Sequence, residues 1–266
     1  MAATKSRSSN TQYDNFAATY SNITDLPGEV ITENLLRRGL GNIEHLDILD
    51  LACGTGLHSR LAVNLGAKIV VGVDISREML RIGQAAEEEA SSPPGTSGSC
   101  IAYHQADCSE PLDHIGLQAE SFDLVMANWL FNYSSTRTEL ENMWRNVSRY
   151  LKPGGRFVGV GEVHEVSLAV TRSEWAGIRG SVAGETEHAT KVHIELLAEP
   201  VVAFDEYILK RGDWYRDVPV EVGMTDVTFT PPSIEEVPEH CRQIQEWEDA
   251  LAVPYCLLHT AIKALR

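Results

Sequence analysis

The sequence predicts an α/β protein built on a doubly wound, mostly parallel sheet, and three observations lead to this prediction. A strand near residues 46–52 is followed by a glycine-rich turn, a helix and a second strand that ends on Asp74. Strand and helix segments then alternate as far as residue 162, and strands joined through helices pair in parallel with right-handed crossovers. Beyond residue 162 an alternating apolar pattern predicts an inserted antiparallel hairpin.

The elements of the sheet follow from hydrophobic periodicity and from helix breakers. Aromatic residues at Tyr13, Phe16 and Tyr20 form one face of a predicted helix, and Pro27 opens a second helix over 28–38. Strands are predicted near 46–52, 68–73, 101–106, 122–128 and 156–162, with helices near 57–65, 76–90 and 136–151. Residues 91–99, rich in Ser, Pro and Gly, are predicted to form a flexible loop.

The pattern changes after residue 162. The hairpin is predicted from 191–197 and 201–210, and a short strand follows at 226–230. A helix is predicted over 233–251, before a last apolar segment at 255–265.

Composition narrows the classes of function. The chain of 266 residues has a formal net charge of −16, which disfavours nucleic acids and anionic membranes as partners. Neutral or cationic small molecules, or a protein, remain as substrates. Five cysteines without metal-ligand spacing, a polar start and the lack of a long apolar run predict a cytoplasmic protein. The nine histidines show no paired metal-ligand motif, so no metal site is expected.

The segment from residue 46 to residue 74 is typical of a nucleoside pocket. Gly54 and Gly56 allow the backbone to approach a ligand, and a strand-end carboxylate such as Asp74 accepts hydrogen bonds from a ribose diol. The dinucleotide fingerprint would require a third glycine where this chain has Ser59. The departure favours a smaller ligand without a pyrophosphate.

Five motifs in order resemble the class I S-adenosylmethionine-dependent methyltransferases. They lie at 49–56, 73–80, 106–107, 122–126 and 151–157, within a resemblance that spans Tyr13 to Glu162. The resemblance implies a seven-stranded Rossmann-like methyltransferase sheet, S-adenosyl-L-methionine as cofactor and an enzyme that transfers a methyl group. The aromatic N-terminal motif, the hairpin and residues 245–248 look like the toxoflavin-synthase-type branch, which methylates small molecules.

This resemblance also implies a division of the chain. Residues 1–40 would form N-terminal helices that act as a lid, although the aromatic stripe equally fits a satellite of the core. Residues 41–266 would form the methyltransferase domain, with 163–220 as an inserted cap over the substrate.

The resemblance assigns roles to the residues around the expected cofactor. Asp50 would organise the methionine ammonium, Asp74 would bind the ribose, and Asp107 with the Cys108 N–H would face the adenine. For Asp50 and Asp107 a helix-capping role remains the alternative, and for Met79 ordinary helix packing does. The full predicted cofactor set is Tyr13, Tyr20, Asp50, Ala52, Cys53, Gly54, Thr55, Gly56, Asp74, Ile75, Met79, Asp107, Cys108, Asn128 and Trp129.

The segment after the fourth strand is the predicted border between cofactor and acceptor. Trp129 and Tyr133 are predicted to bind the substrate, because aromatic faces attract a sulfonium or an amine through cation–π interactions. The alternative is that Trp129 and Phe131 belong to the core beneath a helix.

The catalytic base is the least defined part of the prediction. His164, just beyond the fifth strand, is the best-placed candidate because histidine titrates near neutrality. A solvent-exposed or capping histidine is the alternative reading. Glu162, His188 and His193 are weaker candidates, and an amine or thiolate acceptor needs no protein base.

Three functions therefore compete at this stage. The first is methyl transfer from S-adenosylmethionine to N, O or S of a small molecule in secondary metabolism. The second keeps the cofactor but catalyses a non-methylating cyclisation or rearrangement of a natural product. The third is a non-enzymatic binding subunit with a basic partner, and an aminopropyl-type transferase is a further possibility. Neither the acceptor nor the oligomeric state follows from the sequence.

Overall fold

The computed structural model of the protein describes residues 11–90, 100–161, 171, 174–242, 247, 251–252 and 254–265. All five predicted parallel strands are present, and all five belong to one large sheet. Their bounds are β1 Asp47–Leu51, β2 Ile69–Asp74, β3 Ile101–Gln105, β4 Phe122–Met126 and β5 Leu151–Gly161. The strands β9 (Met224–Thr230) and β10 (Leu257–Lys263) complete it.

The large sheet has seven strands in the order β3-β2-β1-β4-β5-β10-β9. Strands β1 to β5 are paired in parallel, and β10 runs antiparallel to both β5 and β9. The strand order reverses between β1 and β4, which is the switch point where open α/β sheets bind ligands. The predicted fold, a doubly wound and mostly parallel sheet, is confirmed.

Helices cover both faces of this sheet. They are α1 Pro27–Leu40, α2 Leu57–Asn64, α3 Arg77–Ala90 and α4 Arg137–Tyr150. Helix α1 begins with a proline at its first position, and the Thr136 hydroxyl accepts a hydrogen bond from the Glu139 N–H at the start of α4. Neighbouring strand residues enter opposite cores: Ile48 packs with α1, and Leu49 packs with α4.

The predicted hairpin is part of a larger structure, and this prediction was incomplete. The strands β6 (Ile178–Glu185), β7 (Ala189–Leu196) and β8 (Val202–Leu209) form a separate antiparallel sheet in that order. Strand β6 escaped prediction because it carries two glycines and buries only Ile178, so it shows no apolar alternation. Helix α5 (Trp214–Glu221) was missed as well, since Pro219 lies inside it.

Two predicted helices are wrong in type or extent. Tyr13 and Tyr20 of the aromatic stripe lie on two 3₁₀ helices, Gln12–Asn15 and Ala17–Ile23, with Phe16 between them, rather than on one α-helix. The segment from 233 begins with turns and a 3₁₀ helix at Glu239–Cys241, because Pro238 disfavours helical backbone before it. Residues 243–246 and 248–250 lie outside the described ranges. No helix among the described residues is long and apolar enough to cross a bilayer.

Candidate functional site

A cavity of about 430 Å³ lies at the carboxyl ends of β1 to β4, above the switch point. Its wall joins the large sheet, the N-terminal 3₁₀ helices and the small sheet. Most of the predicted site residues line it: Tyr13, Tyr20, Ala52, Cys53, Gly54, Thr55, Asp74, Ile75, Met79, Asp107, Cys108, Asn128, Trp129 and Tyr133. The structure thus brings together residues that are up to 120 positions apart in sequence.

Two predicted cofactor residues, Asp50 and Gly56, are not among the wall residues. The Asp50 carboxylate is 1% exposed and accepts a hydrogen bond of 2.5 Å from the Ser59 hydroxyl. Burial raises the pKa of Asp50 to about 7, and the Ser59 hydrogen bond opposes that rise. Ser59, which stands where the dinucleotide fingerprint has its third glycine, therefore holds the Asp50 carboxylate beneath the loop.

The loop after β1 has an unusual backbone that shapes the cavity floor. Ala52, Gly54 and Gly56 all have φ between 56° and 76°, in the left-handed region. Because Ala52 has a side chain, its conformation is strained, and such strain concentrates at ligand sites. The Cys53 N–H donates to the Val73 carbonyl at 3.1 Å, which fixes the loop against β2.

The carboxylate of Asp74 is held in place by two backbone donors at the end of β2. It accepts hydrogen bonds from the Gly54 N–H at 2.8 Å and from the Ser76 N–H at 2.7 Å. Burial raises the pKa of Asp74 to about 6, although these hydrogen bonds oppose the rise and nearby Asp14 adds to it. The fixed carboxylate lies on the cavity wall, where a polar ligand would meet it.

Asp107 stabilises a turn after β3 and caps no helix, so its predicted alternative role as a helix cap is wrong. Its Oδ1 accepts hydrogen bonds from the Ser109 N–H at 2.9 Å and the Ser109 hydroxyl at 2.6 Å, and the next helix begins only at Asp113. It also lines the cavity beside Cys108, a thiol whose pKa is raised by burial. Met79 is 1% exposed, so its packing role and its position on the wall coexist.

The segment after β4 places an aromatic ring in the cavity. Trp129 has φ of 61°, and its backbone N–H donates to the Val160 carbonyl at 2.7 Å. Its ring stacks on Tyr255 with centroids 5.2 Å apart. The alternative core reading fits Phe131, which stacks on Trp144 at 4.7 Å, whereas Trp129 lies on the cavity wall.

Asn128 and His58 form a polar pair on the same wall. The Asn128 Oδ1 accepts from the Val160 N–H at 3.0 Å, and its Nδ2 lies 3.2 Å from the His58 Nδ1. Burial lowers the pKa of His58 to about 4, so the imidazole is neutral at physiological pH. His58 was not predicted, because a single histidine on a helix carries no local signal.

Residues 11–16, here called the N-terminal clasp, connect the large sheet to the small one. The Gln12 Nε2 donates to the Asp205 carbonyl at 2.8 Å, and the Asp205 N–H donates to the Gln12 Oε1 at 2.9 Å. The Asp14 carboxylate accepts from the Ser76 hydroxyl at 2.7 Å, at the start of α3. Between these anchors the Tyr13 hydroxyl contacts the Tyr133 hydroxyl.

Other wall residues were not predicted individually as site residues, although several lie in the segments predicted as lid and substrate cap. They are Thr11, Gln12, Glu29, Leu57, His58, Ser109, Leu130, Met143, Lys191, Asp205 and Tyr207. Lys191 is the one Lys or Arg on this wall within the described residues, and its ammonium lies 2.5 Å from Asp205. The wall is therefore rich in carboxylates.

Two of the four candidate bases belong to the described residues, and neither of these two lines the cavity. His164 and Glu162 lie outside the described residues. His193 is bound to Asp205 at 2.8 Å and His188 lies near Trp214, and neither lines the cavity. A search of the described ranges for three or more clustered His, Cys, Asp or Glu that would suit a metal finds none.

Part of the chain is similar in sequence to known methyltransferases. Residues 49–159 match the family model described as "Methyltransferase domain". The ribosomal protein L11 methyltransferase of Janthinobacterium sp. is 31% identical over 52% of this chain and 42% of its own length. The ubiquinone biosynthesis O-methyltransferase of Rhizobium johnstonii is 28% identical over 60% of each chain. The chain spans less than half the length of the first curated relatives that it matches.

A solved structure extends the likeness to most of the chain. The S-adenosylmethionine-dependent methyltransferase from Mesorhizobium loti is 22% identical, with a TM-score of 0.60, over 88% of this chain and 98% of that one. At this identity the likeness shows the fold. The more specific resemblance to the toxoflavin-synthase-type branch stays a prediction.

Proposed function

Because this chain carries a class I S-adenosylmethionine-dependent methyltransferase domain, we propose that it transfers a methyl group to a small-molecule acceptor bound in the described cavity. The cofactor, S-adenosyl-L-methionine, is the one used by this class. We also propose that the acceptor is a small molecule and that the reaction belongs to secondary metabolism. The single observation that supports it most is the carboxylate of Asp74, fixed on the wall beside a glycine-rich loop.

The wall residues fit this cofactor on the grounds of charge. S-adenosylmethionine carries a sulfonium and an ammonium against one carboxylate, so a wall that has Asp74, Asp107 and Glu29 besides the Asp205–Lys191 pair complements its net positive charge. A pyrophosphate would instead require positively charged donors, and on the described wall Lys191 is already paired with Asp205. The charge of the site therefore favours the sulfonium cofactor over a dinucleotide.

The residues that would hold the cofactor have distinct tasks. Asp74 would accept hydrogen bonds from the ribose diol, and Gly54 with its neighbours would allow the backbone to lie against the ligand. Ile75 and Met79 supply apolar surface for the adenine, and Asp107 lies on the same wall. When bound, S-adenosylmethionine would supply a methyl group that the positive sulfur makes electrophilic.

The protein's own part in the reaction is positioning and the exclusion of water. Holding an acceptor lone pair about 3–3.5 Å from an activated carbon supplies much of the rate of such a displacement. Residues from the large sheet, the small sheet and the N-terminal clasp surround the cavity, which supports a small acceptor over an extended protein segment.

A binding experiment with a matched control tests the cofactor site. Replacement of Asp74 by Asn removes one charge while keeping the shape, and we expect S-adenosylhomocysteine to bind about 10- to 100-fold more weakly. Asp47→Asn is the control, because Asp47 lies at the opposite end of β1 and pairs with Lys68 at 3.2 Å. Isothermal titration calorimetry measures both variants.

Two outcomes would contradict the proposed function. The first is an absence of S-adenosylhomocysteine binding to the wild-type protein, or equal binding by the wild type and Asp74→Asn. The second is a product of unchanged mass in an assay that contains S-adenosylmethionine, which would favour the alternative cyclisation or rearrangement.

A further inference from the structure

Glu29, near the start of α1, adds a carboxylate to the wall of the described cavity that no sequence motif predicts. It lies in the first turn of the helix and is half-buried. It lines both the cavity of about 430 Å³ and a smaller one of about 30 Å³ beside it, which Glu206 also lines. A carboxylate in this position needs an explanation, because burial of a charge is costly unless the charge is paired.

Glu29 differs from the other carboxylates of the larger cavity in its contacts. Asp74, Asp107 and Asp205 each accept hydrogen bonds that hold them in place. Among the described residues, no donor makes a hydrogen bond or an ion pair with the Glu29 carboxylate. Burial raises the pKa of Glu29 to about 7, and the like charge of Glu33 adds to the rise. The folded chain therefore leaves the charge of Glu29 uncompensated.

Glu29 does not serve as a helix cap. A glutamate at the third position of a helix often accepts a hydrogen bond from the backbone N–H of the N-cap residue. Here the N-cap residue is Leu26, whose N–H donates instead to the Ile23 carbonyl at 2.9 Å. The helix dipole favours any acid in the first turn by only about 0.3–1 kcal/mol, which is less than the cost of an unpaired buried charge. Helix stability alone does not account for this residue.

Electrostatic interactions locate Glu29 near both Asp74 and the start of α2. Burial raises the pKa of Tyr20, and the negative charges of Glu29 and Asp74 add to the rise, so both carboxylates lie near the Tyr20 hydroxyl. Burial lowers the pKa of His58, and the charge of Glu33 opposes that fall. Because Glu33 lies one turn after Glu29, this face of α1 is turned toward the start of α2, directly after the glycine-rich loop.

Asp50, to which the resemblance assigns the methionine ammonium, is poorly placed for that role. It is 1% exposed, it is not on the cavity wall, and it already accepts a hydrogen bond from the Ser59 hydroxyl at 2.5 Å. An ammonium carries three N–H donors and a full positive charge, so it pairs best with a carboxylate that no other donor occupies. On the described wall, Glu29 is such a carboxylate.

We propose that Glu29, rather than Asp50, binds the ammonium at the amino-acid end of S-adenosylmethionine. This inference rests on the proposed function, because it adds a cofactor-binding residue to the same site. Glu29 lies outside residues 49–159, the range that matches the methyltransferase model. The N-terminal part of the chain thus supplies a contact to the cofactor as well as covering the cavity.

A ligand that lacks only the ammonium tests this contact. Full-length protein is titrated by calorimetry at pH 8, where Glu29 is mostly ionised, with S-adenosylhomocysteine and with its desamino analogue, in which hydrogen replaces the amino group. We expect the wild type to bind S-adenosylhomocysteine at least tenfold more tightly than the analogue. Glu29→Gln should weaken binding of S-adenosylhomocysteine at least tenfold and leave binding of the analogue nearly unchanged, so that the preference disappears.

Two further variants separate this contact from general effects on the site. Glu33→Gln is the matched control, since Glu33 lies on the same helix and pairs with Arg37 at 2.7 Å outside the cavity. It should leave the preference for S-adenosylhomocysteine nearly unchanged. Asp74→Asn should weaken both ligands alike, because both contain the ribose. Circular dichroism shows whether each variant is folded, and Glu29→Asp, which keeps the charge on a shorter side chain, should reduce the preference if Glu29→Gln does not fold.

Three results would overturn the inference. They are equal binding of the two ligands by the wild type, a preference that Glu29→Gln retains, and an equal loss of both ligands in a folded Glu29→Gln protein. A preference that Asp50→Asn abolishes and Glu29→Gln keeps would return the ammonium to Asp50. Absence of S-adenosylhomocysteine binding by the wild type would instead contradict the proposed function.

Discussion

Asp74 illustrates how one residue combines local geometry with an unfavourable environment. Two backbone N–H groups orient its carboxylate, yet burial raises its pKa to about 6. Its ionised form is the one that accepts hydrogen bonds from a diol and attracts a cation. The residue was predictable from sequence because the loop at 52–56, helix α2 and the strand that ends on Asp74 follow one another along the chain.

Binding of the cofactor product should therefore depend on pH. We expect the dissociation constant of S-adenosylhomocysteine to rise about tenfold between pH 7 and pH 5, because Asp74 becomes protonated as the pH falls through about 6. The titratable groups whose charges interact with Asp74 are Asp14, Tyr20, Asp50, Cys53, Cys108 and Tyr133. Calorimetry at half-unit steps measures the change. An affinity that stays constant from pH 5 to pH 7, or a dependence that persists in Asp74→Asn, would contradict this assignment.

Other residues of the site were not predictable from local sequence. Glu29, Lys191, Asp205 and Glu206 reach the cavities only because the small sheet and α1 pack against the large sheet. No periodicity or motif marks these positions. By contrast, Trp129 was found because it directly follows a predicted strand.

At the scale of elements, the loop between β1 and α2 depends on the absence of a side chain at one position. Gly56 has φ of 76°, and a Cβ there would overlap the Tyr103 hydroxyl and lie 3.0 Å from the Tyr103 Cζ. That hydroxyl is buried without a hydrogen-bond partner in the described structure, so it contributes packing and no polar contact. The close approach of β3 to the loop thus depends on glycine.

Gly56→Ala should reduce the free energy of unfolding by about 2–4 kcal/mol, from left-handed backbone strain and overpacking together. In a Tyr103→Phe background the loss should fall to about 1–2 kcal/mol, because the overlap with the hydroxyl is relieved. Gly184→Ala is the control, since Gly184 has open space around its Cα. Urea denaturation measures all three. An equal loss in both backgrounds would show that the overlap is not the cause.

Helices and strands with a regular apolar pattern were predicted from sequence, whereas those that depend on contacts with distant segments were not. Strands β1 to β5 and helices α1 to α4 were predicted because their apolar residues recur with one period over several turns or pleats. Strand β6 and helix α5 were missed because β6 depends on pairing with β7, and α5 tolerates Pro219 through tertiary packing. The residue types of β6 and α5 do not indicate which distant segments pack against them.

Across the whole molecule, negative charge accumulates around the cavity. Asp50, Asp74 and Glu29 each have a pKa raised by burial, to about 7, 6 and 7. In the folded state these groups retain protons at pH values where the unfolded chain has already lost them. The folded state binds more protons in this range, so the free energy of unfolding falls as the pH rises from about 5 to 8.

Thermal unfolding without ligand should therefore occur at a lower temperature at pH 8 than at pH 5.5. Asp50→Asn should flatten this slope, because it keeps an oxygen for the Ser59 hydroxyl and removes a buried charge. Asp47→Asn should leave the slope unchanged. Differential scanning fluorimetry measures the slopes, and a melting temperature that rises between pH 5.5 and pH 8 in the wild type would contradict the expectation.

S-adenosylhomocysteine at 100 times its dissociation constant should add about 2.7 kcal/mol of stability.

We expect the double attachment of the N-terminal clasp to slow the release of a bound molecule. Gln12 is joined to β8 by two hydrogen bonds, while Asp14 is joined to the start of α3. To move the clasp away from β8, both Gln12 bonds must break together, at about 1–3 kcal/mol. The opened form is then populated in about one molecule in ten to one in a hundred. We expect departure past Tyr13 to be slowed by the same ratio, so that opening of this short segment limits turnover.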